Sequence, residues 1–461
     1  MSQSAWLREN GPFPTPQTRR FAYQSVVKQF MRYPIFLLGL GPPLFRSQAI
    51  DATSGLIDFW SFLQVGWLLM IAVRAIIRLT YAPFLTIPKR IRSVLRFALF
   101  LGFLFVISVA YSPSRPVSAA YAVFYFLTWI CVIEFIVDVY HSPPDWILCL
   151  LQFRLSALGL LVLVLLAIPF KLPGLVIFLG GHGLRLIGGA VAPMPLTCPI
   201  IAIISAYTFL HSLEPRTRAA FFFFVGLCTT LATQSRGAEI ALFIALLLVV
   251  TDWARTSRNA ACMAIFGFMA SVVFGGVLVA AVGGGSIWDI FNRGQSTEGI
   301  ESASGRTQIW SYAIHYCMAH PQGMGYVAGF RILFRNYFTL GLMVSGDRIG
   351  NTHNTFVQFL ADAGWLALAV YIVMLAKVFA LGFRFTRKHA SVLLVSDSAP
   401  IHALRCALAL LVYCLVAGFD ASDFAVPLRT AFYLQNLIIA TILGLCARMI
   451  CASRLDSIHS Q

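Results

Sequence analysis

The sequence predicts an all-α polytopic membrane protein with about twelve transmembrane helices and one large outer loop that contains helices of its own. Of its 461 residues, 59% are apolar and only 11% are charged, and the mean hydropathy is +0.80. Apolar runs of roughly 17–25 residues recur along the chain, which is the length that crosses a bilayer as a helix. A soluble globular class is therefore excluded.

The predicted spans follow from the apolar runs and from the residues that interrupt them. They are centred in 33–45, 57–78, 97–111, 119–140, 146–168, 194–211, 219–234, 238–252, 260–282, 355–382, 401–418 and 430–447. The first run is short and is interrupted by "GLGPP". The segment 169–193 is too rich in Gly and Pro for a full span, so we expect a re-entrant or interfacial stretch on the outer face.

The positions of Lys and Arg predict the orientation. If the N-terminus is inside, the inner connections carry most of these residues, as cytoplasmic loops usually do. This explains the net charge of +16 without nucleic-acid binding. We expect an inner tail at 1–32, a single membrane domain at 33–450 that includes the outer loop 283–354, and an inner tail at 451–461.

The outer loop contains a second helical pattern. In "GRTQIWSYAIHYCMAHPQGMGY" (305–326) apolar residues recur at helical spacing, which predicts an amphipathic helix that Pro321 ends. Its predicted apolar face consists of Ile309, Trp310, Ala313, Ile314, Cys317 and Met318. We expect this helix on the membrane surface or on the bundle of spans. The glycines of "GMGY" are typical of a tight turn.

Two arginines begin helices on the predicted outer face. Arg236 lies in "SRGAEIAL", at a short turn between spans, where free amides and the helix dipole favour an anion. A snorkelling side chain or an ion pair with Glu239 is the alternative. Arg306 begins the loop helix, where a solvated role is the alternative. Because both lie on one face, they favour a shared dianionic ligand.

His353 lies at the outer mouth of the span that begins near Asn354. Asn351 or Thr352 would be sufficient to cap that helix, so the sequence gives the His353–Asn354 pair no structural task there. An imidazole with the ordinary pKa of about 6.5 is mostly neutral at pH 7 and accepts a proton from a hydroxyl. The hypothesis is a general base, and the alternative is a solvated surface histidine.

Several common catalytic patterns are absent from the sequence. It has no DxD pair, Walker loop, HExxH motif or nucleophile elbow. The acidic residues assigned to the outer face are scattered, at Asp51, Asp58, Asp289, Glu298, Glu301 and Asp347. A divalent-metal site needs converging oxygen ligands, so neither a metal nor a cofactor is expected. Guanidinium groups would supply the positive charge instead.

Three motifs together resemble the bacterial O-antigen ligase and O-antigen or exopolysaccharide polymerase superfamily of membrane glycosyltransferases. They are "SRGAEIAL" (235–242), the loop-helix motif (305–326) and "HNTFVQFLADAGW" (353–365). The ligase branch is known for His-Asn followed by nine residues and Gly, which match His353, Asn354 and Gly364. Ala367 stands where ligases often have Thr, so the branch stays open.

The resemblance implies inverting, metal-independent transfer of a glycan from an undecaprenyl-diphosphate-linked donor, at the periplasmic face of the bacterial inner membrane. Arg236 and Arg306 would hold the diphosphate, and His353 would deprotonate the acceptor hydroxyl. Further substrate-binding candidates are Asn354, Gln358, Arg331, Arg335, Arg348 and Arg185. The implied partners are this donor, a lipid A–core or lipid-linked glycan acceptor, and membrane lipids.

Three functions remain open at this stage. A ligase would join a lipid-linked polysaccharide to lipid A–core, and a polymerase would extend the lipid-linked chain itself. A transporter of lipid-linked glycans would use the same arginines to bind its substrate. Transporters commonly show pseudo-repeats with paired broken helices. The sequence shows no such repeat, which favours an enzyme.

Overall fold

The apolar runs form long helices joined by short turns. A computed structural model describes residues 59–81, 87–141, 146–167, 176–179, 183–186, 194–256, 258–265, 306–330, 332–333, 352–388 and 399–459. The helices are α1 (Phe59–Tyr81), α2 (Lys89–Ser108, continued by a 3-10 turn, Val109–Tyr111), α3 (Arg115–His141), α4 (Trp146–Ala167), α5 (Met194–Leu210), α6 (Arg216–Ala232), α7 (Arg236–Ala254), α8 (Arg306–Ala319), α9 (Thr355–Lys388), α10 (Ala399–Ala417) and α11 (Thr430–His459).

The predicted fold class is confirmed. Within the described residues, eight helices are long and apolar enough to cross a membrane, and α5 is a shorter apolar helix. The predicted spans from 57 onward coincide with helices, except that only residues 260–265 of the span 260–282 are described, as helix. The span 33–45 and the tail 1–32 lie outside the described residues, so the total of twelve stays a prediction. The tail predicted at 451–461 is mostly a continuation of α11.

The segment 169–193 does not form a spanning helix. It contains two short strands, β1 (Val176–Leu179) and β2 (Gly183–Leu186), which pair antiparallel with Val176 opposite Leu186. This hairpin fits a segment too rich in Gly and Pro to continue as a helix.

Burial separates central helices from lipid-facing ones. In the most apolar 18-residue segment of α11, 83% of the residues are buried inside the protein. In the corresponding segments of α1 and α7, only 28% are buried. Large apolar side chains are mostly exposed on both of these helices, for example Phe62 on α1 and Phe243 on α7. Since exposed apolar area is unfavourable in water by roughly 25 cal/mol per Å², these surfaces fit a lipid environment.

A buried ion pair connects the helices at the end of the bundle away from α8. Arg154 of α4 and Glu214, in the turn after α5, are 1% and 0% exposed at their side chains. One guanidinium nitrogen lies 2.8 Å from Glu214 Oε2, and the Thr208 hydroxyl donates to Glu214 Oε1 at 2.6 Å. A charge at membrane depth is tolerated when it is paired and hydrogen-bonded in this way.

The span predicted as continuous at 355–382 is broken, which corrects the sequence analysis. Ala363 and Gly364 leave the helical conformation inside α9, and Gly364 has φ +79° and ψ −174°. The segment 321–325 fills the break, since Met324 N–H donates to Ala361 O at 2.7 Å and Gly325 N–H to Asp362 O at 2.9 Å. The turn after α8 is thereby fixed to the first part of α9.

Gly364→Ala is expected to destabilise the protein by about 1–3 kcal/mol or more, because this backbone region is essentially restricted to glycine. A Cβ at this position would also collide with the carbonyl oxygen of Pro321. The measurement is the thermal unfolding midpoint in detergent. Gly66→Ala on α1 is the matched control, since an added Cβ there meets nothing within 4 Å. Equal midpoints for the two variants would contradict the role assigned to the break.

Candidate functional site

The backbone around His353 is fixed by its neighbours. Asn354 Oδ1 accepts from the N–H groups of Phe356 at 2.9 Å and Val357 at 3.1 Å, so Asn354 is the N-cap of α9. The interpretation that Asn351 or Thr352 would cap this helix is therefore wrong. His353 immediately precedes the cap, is half-buried and has φ +51°, in the left-handed region. His is one of the few residues other than glycine enriched there.

A chain of buried polar groups supports this turn. Thr352 N–H donates to Gln358 Oε1 at 3.0 Å, and Gln358 Nε2 donates to Asp362 Oδ1 at 2.8 Å. From α8, Trp310 Nε1 donates to Thr352 O at 2.8 Å. Gln358 is 1% exposed and Asn354 4% exposed. Both side chains form hydrogen bonds within the protein. They are therefore better placed to position His353 than to contact a sugar.

The loop between α10 and α11 lies directly beside this turn. Thr355 N–H donates to Gly418 O at 2.7 Å, and the Thr355 hydroxyl donates to Ala421 O at 2.6 Å. Asn354 Nδ2 donates to Phe419 O at 3.3 Å. Residues 418–421 are therefore held in one place against the start of α9.

Asp420 of that loop connects the two predicted arginine positions. Its carboxylate forms an ion pair with Arg306, and both side chains are about one-third exposed, at 32% and 29%. Gly237 lies so close to Asp420 that an added Cβ would collide with the carboxylate. Arg236, the residue before Gly237, begins α7, which Ser235 caps. The structure thus brings the starts of α7, α8 and α9 to one loop.

Sequence reasoning missed Asp420. It lies between the predicted spans 401–418 and 430–447, as Asp423 does, so both belong with the outer-face acids. The signal was their position between two spans; what the sequence could not show is that Asp420 would meet Arg306. Among the described residues, no group of three His, Cys, Asp or Glu side chains is arranged to hold a metal ion.

The helix that carries Arg306, α8, packs on the bundle of spans, which is one of the two locations expected for it. Ile309, Ala313 and Cys317 are buried against α9, as predicted. Ile314 and Met318 are instead 38% and 70% exposed, so only part of the predicted apolar face packs against the protein.

Buried thiol and phenol groups near the site are poor nucleophiles. Burial, and then the nearby Asp362 carboxylate, raise the pKa of the Cys317 thiol to about 12. Burial also raises the pKa of the Tyr326 phenol well above its usual value. Both groups stay protonated near neutral pH, so neither is suited to act as a nucleophile or a base.

The structure does not test the four other arginine candidates. Arg331, Arg335 and Arg348 lie outside the described residues. The backbone of Arg185 lies in β2, opposite Ile177 of β1. Their assignment to substrate binding stays a prediction.

Comparison with known families adds a separate observation. Residues 221–372 match a family model described as O-antigen ligase. This part of the chain is therefore similar to O-antigen ligases. The resemblance to the superfamily is confirmed by this match, and Arg236, Arg306 and His353 all lie inside it. No curated protein matches the chain. The apolar helices and this match support a multi-pass membrane protein that is similar to the O-antigen ligase and polymerase superfamily, a class that acts in lipopolysaccharide biosynthesis.

Asp420 lies outside the O-antigen ligase match, whereas Arg306 and Gly237, which it meets, lie inside it. The α10–α11 loop thus contributes a carboxylate to the surroundings of Arg306.

Proposed function

We propose that this protein transfers a glycan from an undecaprenyl-diphosphate-linked donor to a sugar hydroxyl, as an O-antigen ligase whose acceptor is lipid A–core. The reaction takes place at the periplasmic face of the bacterial inner membrane, with both termini in the cytoplasm. The observation that carries this proposal is that Arg306 and the starts of α7 and α9, all within the O-antigen ligase match, meet at Asp420.

The two arginines act on the leaving group. Undecaprenyl diphosphate leaves with the negative charge of the breaking bond, and guanidinium groups placed beside it stabilise that charge in the transition state. Arg306 is held by Asp420, so its guanidinium keeps a fixed position. Arg236 contributes from the start of α7, where the helix dipole also favours an anion. We propose that this charge comes from the arginines without a metal ion or other cofactor.

His353 acts on the acceptor. Its imidazole takes the proton of the acceptor hydroxyl while that oxygen forms a bond to the anomeric carbon and the bond from this carbon to the diphosphate oxygen breaks. One displacement from the opposite face inverts the configuration. Asn354 and Gln358 position His353 through the cap and the Thr352 contact. Arg185, Arg331, Arg335 and Arg348 are proposed to contact the substrates.

The transporter alternative depends on whether the backbone groups at the break in α9 are available to bind a substrate. In transporters, broken helices expose backbone groups that bind substrate and ions. Here the carbonyl groups of Ala361 and Asp362 accept hydrogen bonds from residues 324 and 325, so the protein itself fills the break. This favours an enzyme over a transporter.

Deletion of the gene in its source bacterium tests the proposal and separates ligase from polymerase. For the ligase, we expect loss of capped lipopolysaccharide while full-length lipid-linked polymer remains. Accumulation of single lipid-linked repeat units would favour the polymerase, which transfers the glycan to another lipid-linked glycan. The products are separated by gel electrophoresis and mass spectrometry. Normal lipopolysaccharide and normal polymer lengths in the deletion strain would contradict both functions.

A further inference from the structure

Three aromatic rings line one flank of α8. Tyr312, Tyr316 and His320 are four residues apart, so they lie above one another along the helix. Their ring centroids are 6.4 Å and 4.5 Å apart, in tilted arrangements. Both tyrosines are half-buried beside the face that packs on α9, and His320 is exposed. We call these three residues the ring row.

The surroundings of the ring row favour a neutral ligand. Residues 307–330 contain no Lys, Arg, Asp or Glu, in a chain whose net charge is +16. A surface for an anionic lipid headgroup would be expected to carry basic residues. Tyrosine rings with a nearby imidazole instead combine an apolar face with hydroxyl and N–H groups at the edge. This combination suits a sugar, which has a C–H face and hydroxyl groups around it.

Tyrosines also occur at membrane–water interfaces, so α8 offers a second explanation. The exposed side chains of Ile314 and Met318, however, lie on a different flank of α8 from the ring row. At 3.6 residues per turn, Ile314 is about 160° around the helix from Tyr316. The flank suited to lipid contact is therefore the Ile314 flank, which leaves the ring row for a different partner.

We propose that the ring row binds the glycan of the lipid-linked donor at sugar units beyond the one that reacts. This rests on the proposed function, in which Arg306 holds the donor diphosphate. The glycan attached to that diphosphate must begin beside Arg306, and α8 runs from this residue. The row lies about 9 Å to 21 Å along the helix from Arg306, at 1.5 Å per residue. A donor with several sugar units reaches it, whereas a donor with few does not.

The test compares two donor pools on the full-length protein in lipid nanodiscs. Lipid-linked donors are extracted from a strain that lacks this gene and are separated by glycan length into short-chain and long-chain pools. The kcat and KM for transfer are measured with each pool. For Tyr316→Leu and His320→Ala, we expect the KM for long-chain donors to rise about three- to tenfold. With short-chain donors, both constants should stay within about twofold of the wild type.

The choice of variants separates ring stacking from folding. Tyr316→Leu retains apolar volume against the core beside α8, and His320→Ala changes an exposed side chain. Tyr316→Phe should have a KM for long-chain donors close to that of the wild type, because it retains the aromatic ring. His315→Ala is the matched control, since His315 is exposed on the same helix outside the row. It should leave both constants unchanged.

The outcomes are distinguishable. A rise in KM limited to the long-chain pool and reversed by phenylalanine supports the ring row. An equal change for both pools, or no change in either, overturns it. If wild-type protein transfers neither pool to any acceptor, the proposed glycan transfer itself fails, and the ring-row proposal fails with it.

Discussion

His353→Ala is expected to lower the rate of glycan transfer by about 10²–10⁴-fold at normal protein levels, because it removes the group that takes the proton of the acceptor hydroxyl. The side chain is half-buried at the start of α9 and is not part of the core, so folding should be retained. The measurement is transfer per amount of protein in membranes, together with the thermal unfolding midpoint. Near-normal activity of this variant would overturn the general-base assignment.

The left-handed backbone of His353 requires a second variant. Alanine is less favourable than histidine at φ +51°, so part of an activity loss would arise from a distorted turn. Asparagine tolerates this conformation but has no basic nitrogen. His353→Asn should therefore be as inactive as His353→Ala. His141→Ala is the control, because it removes an exposed imidazole at the far end of α3; it should retain full activity.

Arg306→Ala and Arg236→Ala are each expected to lower kcat/KM for the donor by about 10²–10³-fold, the range seen when one charge-stabilising group is removed from an active site. The leaving diphosphate would lose a guanidinium group at the moment its charge develops. The KM for the acceptor should change little, since the acceptor carries no charge that these arginines neutralise. Steady-state transfer assays with purified donor measure both constants.

Arg255→Ala is the matched control for the arginine variants. It removes an exposed guanidinium just past the other end of α7, away from Arg236, and should leave transfer unchanged. A comparable loss in this control would mean that overall charge is responsible. If EDTA inhibited the wild type and one divalent cation reversed the inhibition, the proposal that arginines alone neutralise the leaving diphosphate would be contradicted.

The candidate site was partly predictable because some of its features are local in sequence. Arg236 and Arg306 begin helices, and helix starts are indicated by capping residues and by the onset of apolar periodicity. His353 precedes a long apolar run for the same reason. Asn354 was harder to interpret, since Asn351 and Thr352 were also able to serve as the cap. Only the hydrogen bonds to Phe356 and Val357 identify Asn354 as the cap.

Other features required contacts between distant parts of the chain. Asp420 is separated from Arg306 by two helices, and no local pattern pairs them. The break at Gly364 is stabilised by the segment 321–325, which satisfies backbone groups that a lone helix would leave unpaired. The exposed positions of Ile314 and Met318 follow from how much of α8 the bundle covers.

The sequence by itself determined that this is a helical membrane protein, where most of its described helices lie and which side chains were candidates for chemistry. Those properties depend on the length of apolar runs and on residues within one or two helical turns. The tertiary structure alone decided that Asp420 joins the arginine site, that α9 is broken and which flank of α8 is open. Each of these depends on packing between distant segments, whose free energy no local pattern contains.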